Sequence, residues 1–234
     1  MIIFLKTLKW FFYSGIVLSL VTGIAIGSYL WHLSRGLPEN IDIELDKRND
    51  VLPTVLFDRD EKQIGELFLQ RRVVIPYDSF PPYLIQALLA SEDSRYFSHF
   101  GIDPIRMFKA AIVNFEAGGF VQGASTLTQQ TARLFLLTKE KKLVRKIREI
   151  LLSIRMESQF DKQQIITLYL NKVFFGNAEG VEASAQGYFG KHTEELTLSE
   201  SALLIGLLPA PSRYNPNKNP KLATKRRNQV LSRM

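Results

Sequence analysis

The run from Trp10 to Leu33 contains no Asp, Glu, Lys or Arg and is long enough to cross a bilayer as a single helix. It constrains the rest of the chain, because a retained span commits the sequence after it to one side of a membrane. Trp10 and Trp31 stand near its ends, where amphipathic rings settle at the interface. Lys6 and Lys9 precede it, and Glu39, Asp42, Glu44 and Asp46 follow. The bias of positive charge toward the cytoplasm therefore puts the N-terminus inside and everything after Arg35 outside. A cleaved signal peptide is the competing reading, but the apolar stretch is too long and no small-x-small site clearly ends it. The expected organisation is an N-terminus and anchor over 1–35, a polar linker over 36–52 and a folded domain over 53–234.

With 234 residues, 46% of them hydrophobic and 23% charged, the chain can bury a sizeable core beyond its anchor. A net charge of +7 points to an anionic partner: a phosphate, a lipid headgroup or a nucleic acid. The absence of cysteine removes disulfides and thiolate metal sites and leaves the compartment open. Between Thr54 and Val74 two alternating apolar segments flank the polar stretch Asp58-Arg59-Asp60-Glu61-Lys62, which predicts a short hairpin. Beyond Pro81-Pro82 the pattern is helical nearly to the end. One helix is expected from about Asp103, as N-cap, to Glu116, with Ile105, Phe108, Ile112 and Phe115 on one face. The apolar piece Ala117–Val121 after it reads as a surface loop or as a flap touching membrane or a lipid tail.

Three segments carry candidate chemistry. Leu84–Ala90 reads as a helix whose last turn bears Glu92-Asp93, setting Glu92 between apolar surface and the negative end of a helix dipole. Both disfavour a charged carboxylate, which is how a base is brought toward working pH. Gly123–Gln130 is an uncharged polar run that opens a helix. It offers backbone N–H groups and side-chain donors suited to sugar hydroxyls or a phosphate. Thr126-Leu127-Thr128-Gln129 within it is also a capping box. In a third helix, from about Lys141 to Phe160, Leu143, Ile147, Ile150, Leu151 and Ile154 form an expected core stripe. Lys142, Arg145, Lys146 and Glu149 recur on another face, which places Glu149 beside two cations. Taken alone, that face reads as solvated ion pairs.

Glu92-Asp93-Ser94-Arg95-Tyr96-Phe97-Ser98-His99-Phe100-Gly101 resembles the first motif of the glycosyltransferase family 51 peptidoglycan polymerases. Gly123–Gln130 resembles the second, with Ala124 where Gly is more usual, and Arg145-Lys146-Ile147-Arg148-Glu149 resembles the Arg-Lys-x-x-Glu motif. Thr167–Asn171, Gly180–Lys191 and Ser199–Leu207 resemble later signatures, which physical reading assigns mainly to scaffold. The resemblance covers most of the chain from about Val51.

It implies a mainly α, lysozyme-like two-lobed domain with a short β-hairpin, preceded by one transmembrane helix. The implied reaction is inverting transfer of a glycan strand from undecaprenyl diphosphate onto lipid II. Glu92 would be the general base. Glu149 would hold the cationic cluster or help to bind a metal, and counts with Glu92 as catalytic. Ser125, Thr126, Gln129, Gln130, Arg133, Lys141, Arg145 and Lys146 would bind substrate. Arg133 and Lys141 stand where the family tends to show Lys and Arg respectively, which keeps the charge and changes the hydrogen-bond geometry. His99 is expected to hold local structure, and Asp93 to orient backbone.

No tightly bound cofactor is expected; a divalent cation, Mg or Mn, is an optional addition at the diphosphate, and no permanent protein-held metal site is argued for. The expected partners are lipid II, the lipid-linked glycan chain, membrane lipid and other cell-wall synthesis or division proteins, with no nucleic acid. The expected place is the outer face of a bacterial inner membrane. The Ser-x-x-Lys and Lys-Thr-Gly signatures of a transpeptidase do not occur in the chain. The hairpin region looks more like that of a bifunctional class A penicillin-binding protein, so a fragment or early-terminated version of one is expected, with a monofunctional transglycosylase as the alternative. Two other classes compete: a lytic glycosidase of lysozyme-like fold, and a non-catalytic basic membrane protein. The first has no need of a basic helix, and the second leaves Glu92 and Gly123–Gln130 without a purpose.

Overall fold

In the computed structural model, residues 2–38, 54–60, 62–67, 73–119, 121–135 and 142–234 are described. The chain divides into two compact units, Met1–Glu39 and Asn40–Met234. Helix α1 (Ile2–Arg35) accounts for most of the first, and its stretch Phe12–Arg35 is long and apolar enough to cross a membrane. Most of the expected linker, residues 39–52, lies outside the described residues.

The second unit is mainly helical and carries the expected hairpin. Strands β1 (Thr54–Phe57) and β2 (Gln63–Leu67) pair antiparallel, with Thr54 opposite Leu67 and an irregularity between Leu56 and Phe57. Asp58 closes the turn: its Oδ1 accepts from the N–H of Asp60 and of Lys62, both at 2.9 Å. The helices that follow are α2 (Pro82–Glu92), α3 (Pro104–Glu116), α4 (Leu127–Phe135), α5 (Lys142–Gln159) and α6 (Lys162–Lys172). They are succeeded by α7 (Val181–Phe189), α8 (Leu198–Leu207), α9 (Pro211–Tyr214) and α10 (Pro220–Leu231).

One core joins α2, α4, α6, α7 and α8 through fully buried Leu84, Leu88, Leu127, Ile165, Ile166, Val181 and Leu204. Each such aliphatic side chain contributes roughly 1.5–3 kcal/mol relative to exposure. Buried polar groups tie the elements together. Asn171 spans the chain entry to α2, accepting from Ile75 N–H at 3.0 Å and donating to Ile75 C=O at 2.8 Å. Glu182 accepts from the N–H and Oγ1 of Thr193, from Gln186 and from the His192 ring. Burial alone would raise its pKa, but those hydrogen bonds outweigh it and hold Glu182 below the usual carboxylate range.

One helix face is left open and the expected stripe of another shifts. On α3, N-capped by Asp103 through Arg106 N–H at 3.0 Å, the apolar face of Ile105, Phe108, Ile112 and Phe115 is exposed, Phe115 by 88%. On α5, Leu143 and Ile154 are exposed, and the buried stripe is Glu149, Leu152, Ser153 and Met156. A carboxylate turned inward at 149 carries with it the positions three, four and seven residues on, which rotates the stripe away from the purely apolar one. Of the segment after α3, Phe120 lies outside the described residues. Val121 and Gln122 are drawn back by Asn114, whose Oδ1 accepts from both N–H groups at 2.9 and 2.8 Å.

Candidate active site

Leu84, Leu88 and Glu92 occupy one column of α2 at four-residue spacing. The two leucines are fully buried, and Glu92, the last helical residue, is half-buried where the column leaves the core. Asp93 turns into the interior at 1% exposure. Its Oδ2 accepts from Leu127 N–H at 2.9 Å and lies 3.0 Å from His99 Nε2, while Arg106 approaches its Oδ1 at 3.4 Å. Arg106 also donates to the Glu92 carbonyl at 2.6 Å. Asp93 is therefore the clasp between the segment bearing Glu92 and the start of α4, and His99 has the local hydrogen-bonding place expected of it.

The clasp changes what Gly123–Gln130 offers. Leu127 N–H is not free for a ligand, because Asp93 occupies it. Thr126 and Gln129 form the expected capping box: Thr126 Oγ1 accepts from Gln129 N–H at 3.2 Å, and Gln129 Oε1 accepts from Thr126 N–H at 3.3 Å. Both residues are buried, and Thr126 Oγ1 also donates to the Gly101 carbonyl at 2.6 Å. That approach needs glycine at 101, where φ is +78° and a Cβ would stand 2.8 Å from the Ser153 carbonyl. Ser125 and Gln130 keep partial exposure. Gln130 Nε2 donates to Glu92 Oε2 at 3.0 Å, and Ser91 Oγ lies 3.3 Å from Glu92 Oε1.

Three residues beyond Gln130 on α4, Arg133 Nε lies 3.3 Å from Glu149 Oε1. Glu149 is 2% exposed, and it also has Arg145 Nε at 3.6 Å and Lys146 Nζ at 3.3 Å. Lys146 donates further to Ser125 Oγ at 2.7 Å and approaches Gln129 Oε1 at 3.4 Å. The three cationic side chains are each 40–49% exposed over a buried carboxylate, which makes a positive surface held from beneath. Lys141 lies outside the described residues.

A cleft of about 330 Å³ opens at Glu92, lined also by Arg106, Lys109, Gln122 and Arg233. Among the described residues no three His, Asp or Glu side chains converge as metal ligands, and Glu149 already meets three cations. Among the described residues the donor set does not fit a protein-held divalent ion. Sequence reasoning passed over Arg106 and the reach of Asp93, and left Tyr169, within Thr167–Asn171, to the scaffold. An acidic residue beside Glu92 was the available signal for the reach of Asp93, whereas nothing local marks Arg106.

A family profile described as Transglycosylase matches residues 60–234. The chain belongs to the transglycosylase family and is a glycosyltransferase. It is 44% identical over 221 residues to penicillin-binding protein 1A of Aquifex aeolicus, covering 94% of this chain and 30% of the relative. It is 50% identical over 183 residues to penicillin-binding protein 1A of Haemophilus influenzae, covering 78% of this chain and 22% of the relative. A crystal structure of the Haemophilus influenzae protein aligns at 31% identity over 78% of this chain and 18% of that one, with a TM-score of 0.42. The chain spans less than a third of the length of these curated relatives.

Proposed function

We propose that the chain is a peptidoglycan glycosyltransferase that polymerises lipid II with Glu92 as general base. The observation that carries this reading is that α4 presents Gln130 to Glu92 and, one turn on, Arg133 to Glu149, so one helix holds a carboxylate and a cationic surface side by side. Glycan extension needs both. A base takes the proton of the acceptor 4-hydroxyl as its oxygen bonds to the anomeric carbon of the donor. The anomeric C–O bond to the lipid diphosphate breaks on the opposite face, with inversion, and the departing negative charge requires cations. Lys146, Arg145 and Arg133 supply them, with the Ser125 hydroxyl beside Lys146. Thr126 and Gln129 serve by holding the start of α4, and Glu149 by gathering the cations. No step is routed through a divalent ion.

Incubation of the chain with lipid II in detergent is expected to give polymer and free undecaprenyl diphosphate. Digestion of purified cell wall without polymer formation would favour the lytic reading instead. The anchor and the charge asymmetry around it support an outer-face position for the folded unit at a bacterial inner membrane. Protease added to the periplasmic side should degrade the chain beyond residue 35 and spare the N-terminus. Protection of the C-terminal part would reverse the orientation.

A further inference from the structure

We propose that Tyr169 is a positioning residue that fixes, through Gln130, which end of the amide faces Glu92. Tyr169 lies on α6 at 2% exposure, on a helix whose Ile165, Ile166 and Leu170 are fully buried. Its hydroxyl donates to Gln130 Oε1 at 3.3 Å, and Gln130 Nε2 donates to Glu92 Oε2 at 3.0 Å. The three groups form a chain that runs from the core to the cleft.

Direction in this chain follows from what each group can do. An ionised carboxylate only accepts, so the amide must show it the NH₂ end, and the amide oxygen then needs a donor behind it. Tyr169 is that donor. Burial, and then the negative charge of Glu92, push the Tyr169 hydroxyl well above its usual range, so the proton is retained at any working pH. Turning the amide by half a rotation would set its oxygen against Glu92, an arrangement that suits only a protonated acid. It would also leave the Tyr169 proton without its recorded acceptor, and an unmet buried donor is costly. The hydroxyl thus biases the chain toward the form in which Glu92 is a base.

The other groups facing Glu92 do not set this direction. Ser91 approaches Oε1, and Arg106 of α3 binds the main-chain carbonyl. Asp93 is engaged with Leu127, His99 and Arg106. Arg95, Lys109 and Arg233 line the cleft.

This inference rests on the reading of Glu92 as the base. Its test is the pH dependence of lipid II polymerisation by the full chain in detergent, comparing wild type with Tyr169→Phe, which deletes only the hydroxyl. Near neutral pH the variant should lose about tenfold in kcat, with KM for lipid II unchanged, and its acid limb should move upward so that the rate recovers at alkaline pH. In a Gln130→Ala background, Tyr169→Phe should add less than about a twofold loss, because the chain is already broken. An unmoved acid limb, or a loss that multiplies independently in both backgrounds, overturns the proposal. A general packing defect would give the latter result, so the comparison decides even if the variant is less stable. Should Glu92→Gln stay active, the base reading itself has failed. Should Glu92→Gln be inactive while the Tyr169→Phe acid limb is unmoved, only the positioning role has.

Discussion

Glu92→Gln is expected to leave a folded, membrane-bound chain that holds lipid-linked substrate and almost ceases to polymerise it. Glutamine preserves the volume at the end of α2; its amide oxygen can accept from Gln130 and its NH₂ can donate to the Ser91 hydroxyl, so the contacts at 3.0 and 3.3 Å need not be lost. The clasp beneath is untouched, since Asp93 rather than Glu92 binds Leu127 N–H. What disappears is the capacity to take a proton. General-base assistance is worth about 10²–10⁴ in rate, and the loss should lie toward the upper end because Asp93, the nearest other carboxylate in sequence, is buried and engaged. Polymer formation from lipid II and thermal unfolding are measured together. A folded variant working at near wild-type rate would remove Glu92 from the mechanism.

The second large effect is expected at the cationic surface. Lys146 is the member that touches both the carboxylate and Ser125, at 3.3 and 2.7 Å. Lys146→Ala should lower turnover by about 10²-fold, the scale of one charge-stabilising contact at a departing group. Arg145→Ala should follow it. Glu149→Gln tests the layer below. Removing the buried negative charge leaves Arg133, Arg145 and Lys146 repelling one another, so they splay into solvent. Because those side chains are 40–49% exposed, the stability loss should be about 1–3 kcal/mol rather than the larger cost of a fully enclosed pair. The activity defect should shrink as salt screens the repulsion. Full activity in folded Arg145→Ala and Lys146→Ala variants would return this face to ordinary ion pairing.

Local chemistry made part of this arrangement readable in the sequence. Asp103-Pro104 announces a helix start and Thr126-Leu127-Thr128-Gln129 a capping box, because each signal lies within one turn of the atoms it satisfies. The turn at Asp58 is legible for the same reason. What could not be read is where side chains meet across the fold. Asp93 and Leu127 are joined by one hydrogen bond across 34 residues that include α3, and Tyr169 meets Gln130 from a different helix. The α5 stripe was misassigned because periodicity treats charge as a mark of the outside, whereas Glu149 faces inward and is compensated by cations at the rim. On α3 the reverse holds: an apolar periodicity marks a face that the second unit leaves exposed.

The short helix α4 has a mechanical consequence. Its first N–H is pinned by Asp93, its fourth residue, Gln130, reaches Glu92, and Arg133 about one turn later reaches Glu149. A rod of nine residues held at three points has little freedom to bend between them. A tilt that opened space at one carboxylate would disturb the other, so under the proposed function proton acceptance and leaving-group release would not be retuned independently by substitutions along α4. Adaptation of one half-reaction alone would have to come from the far walls, α2 on one side and α5 on the other, with the rod between them kept as a common gauge.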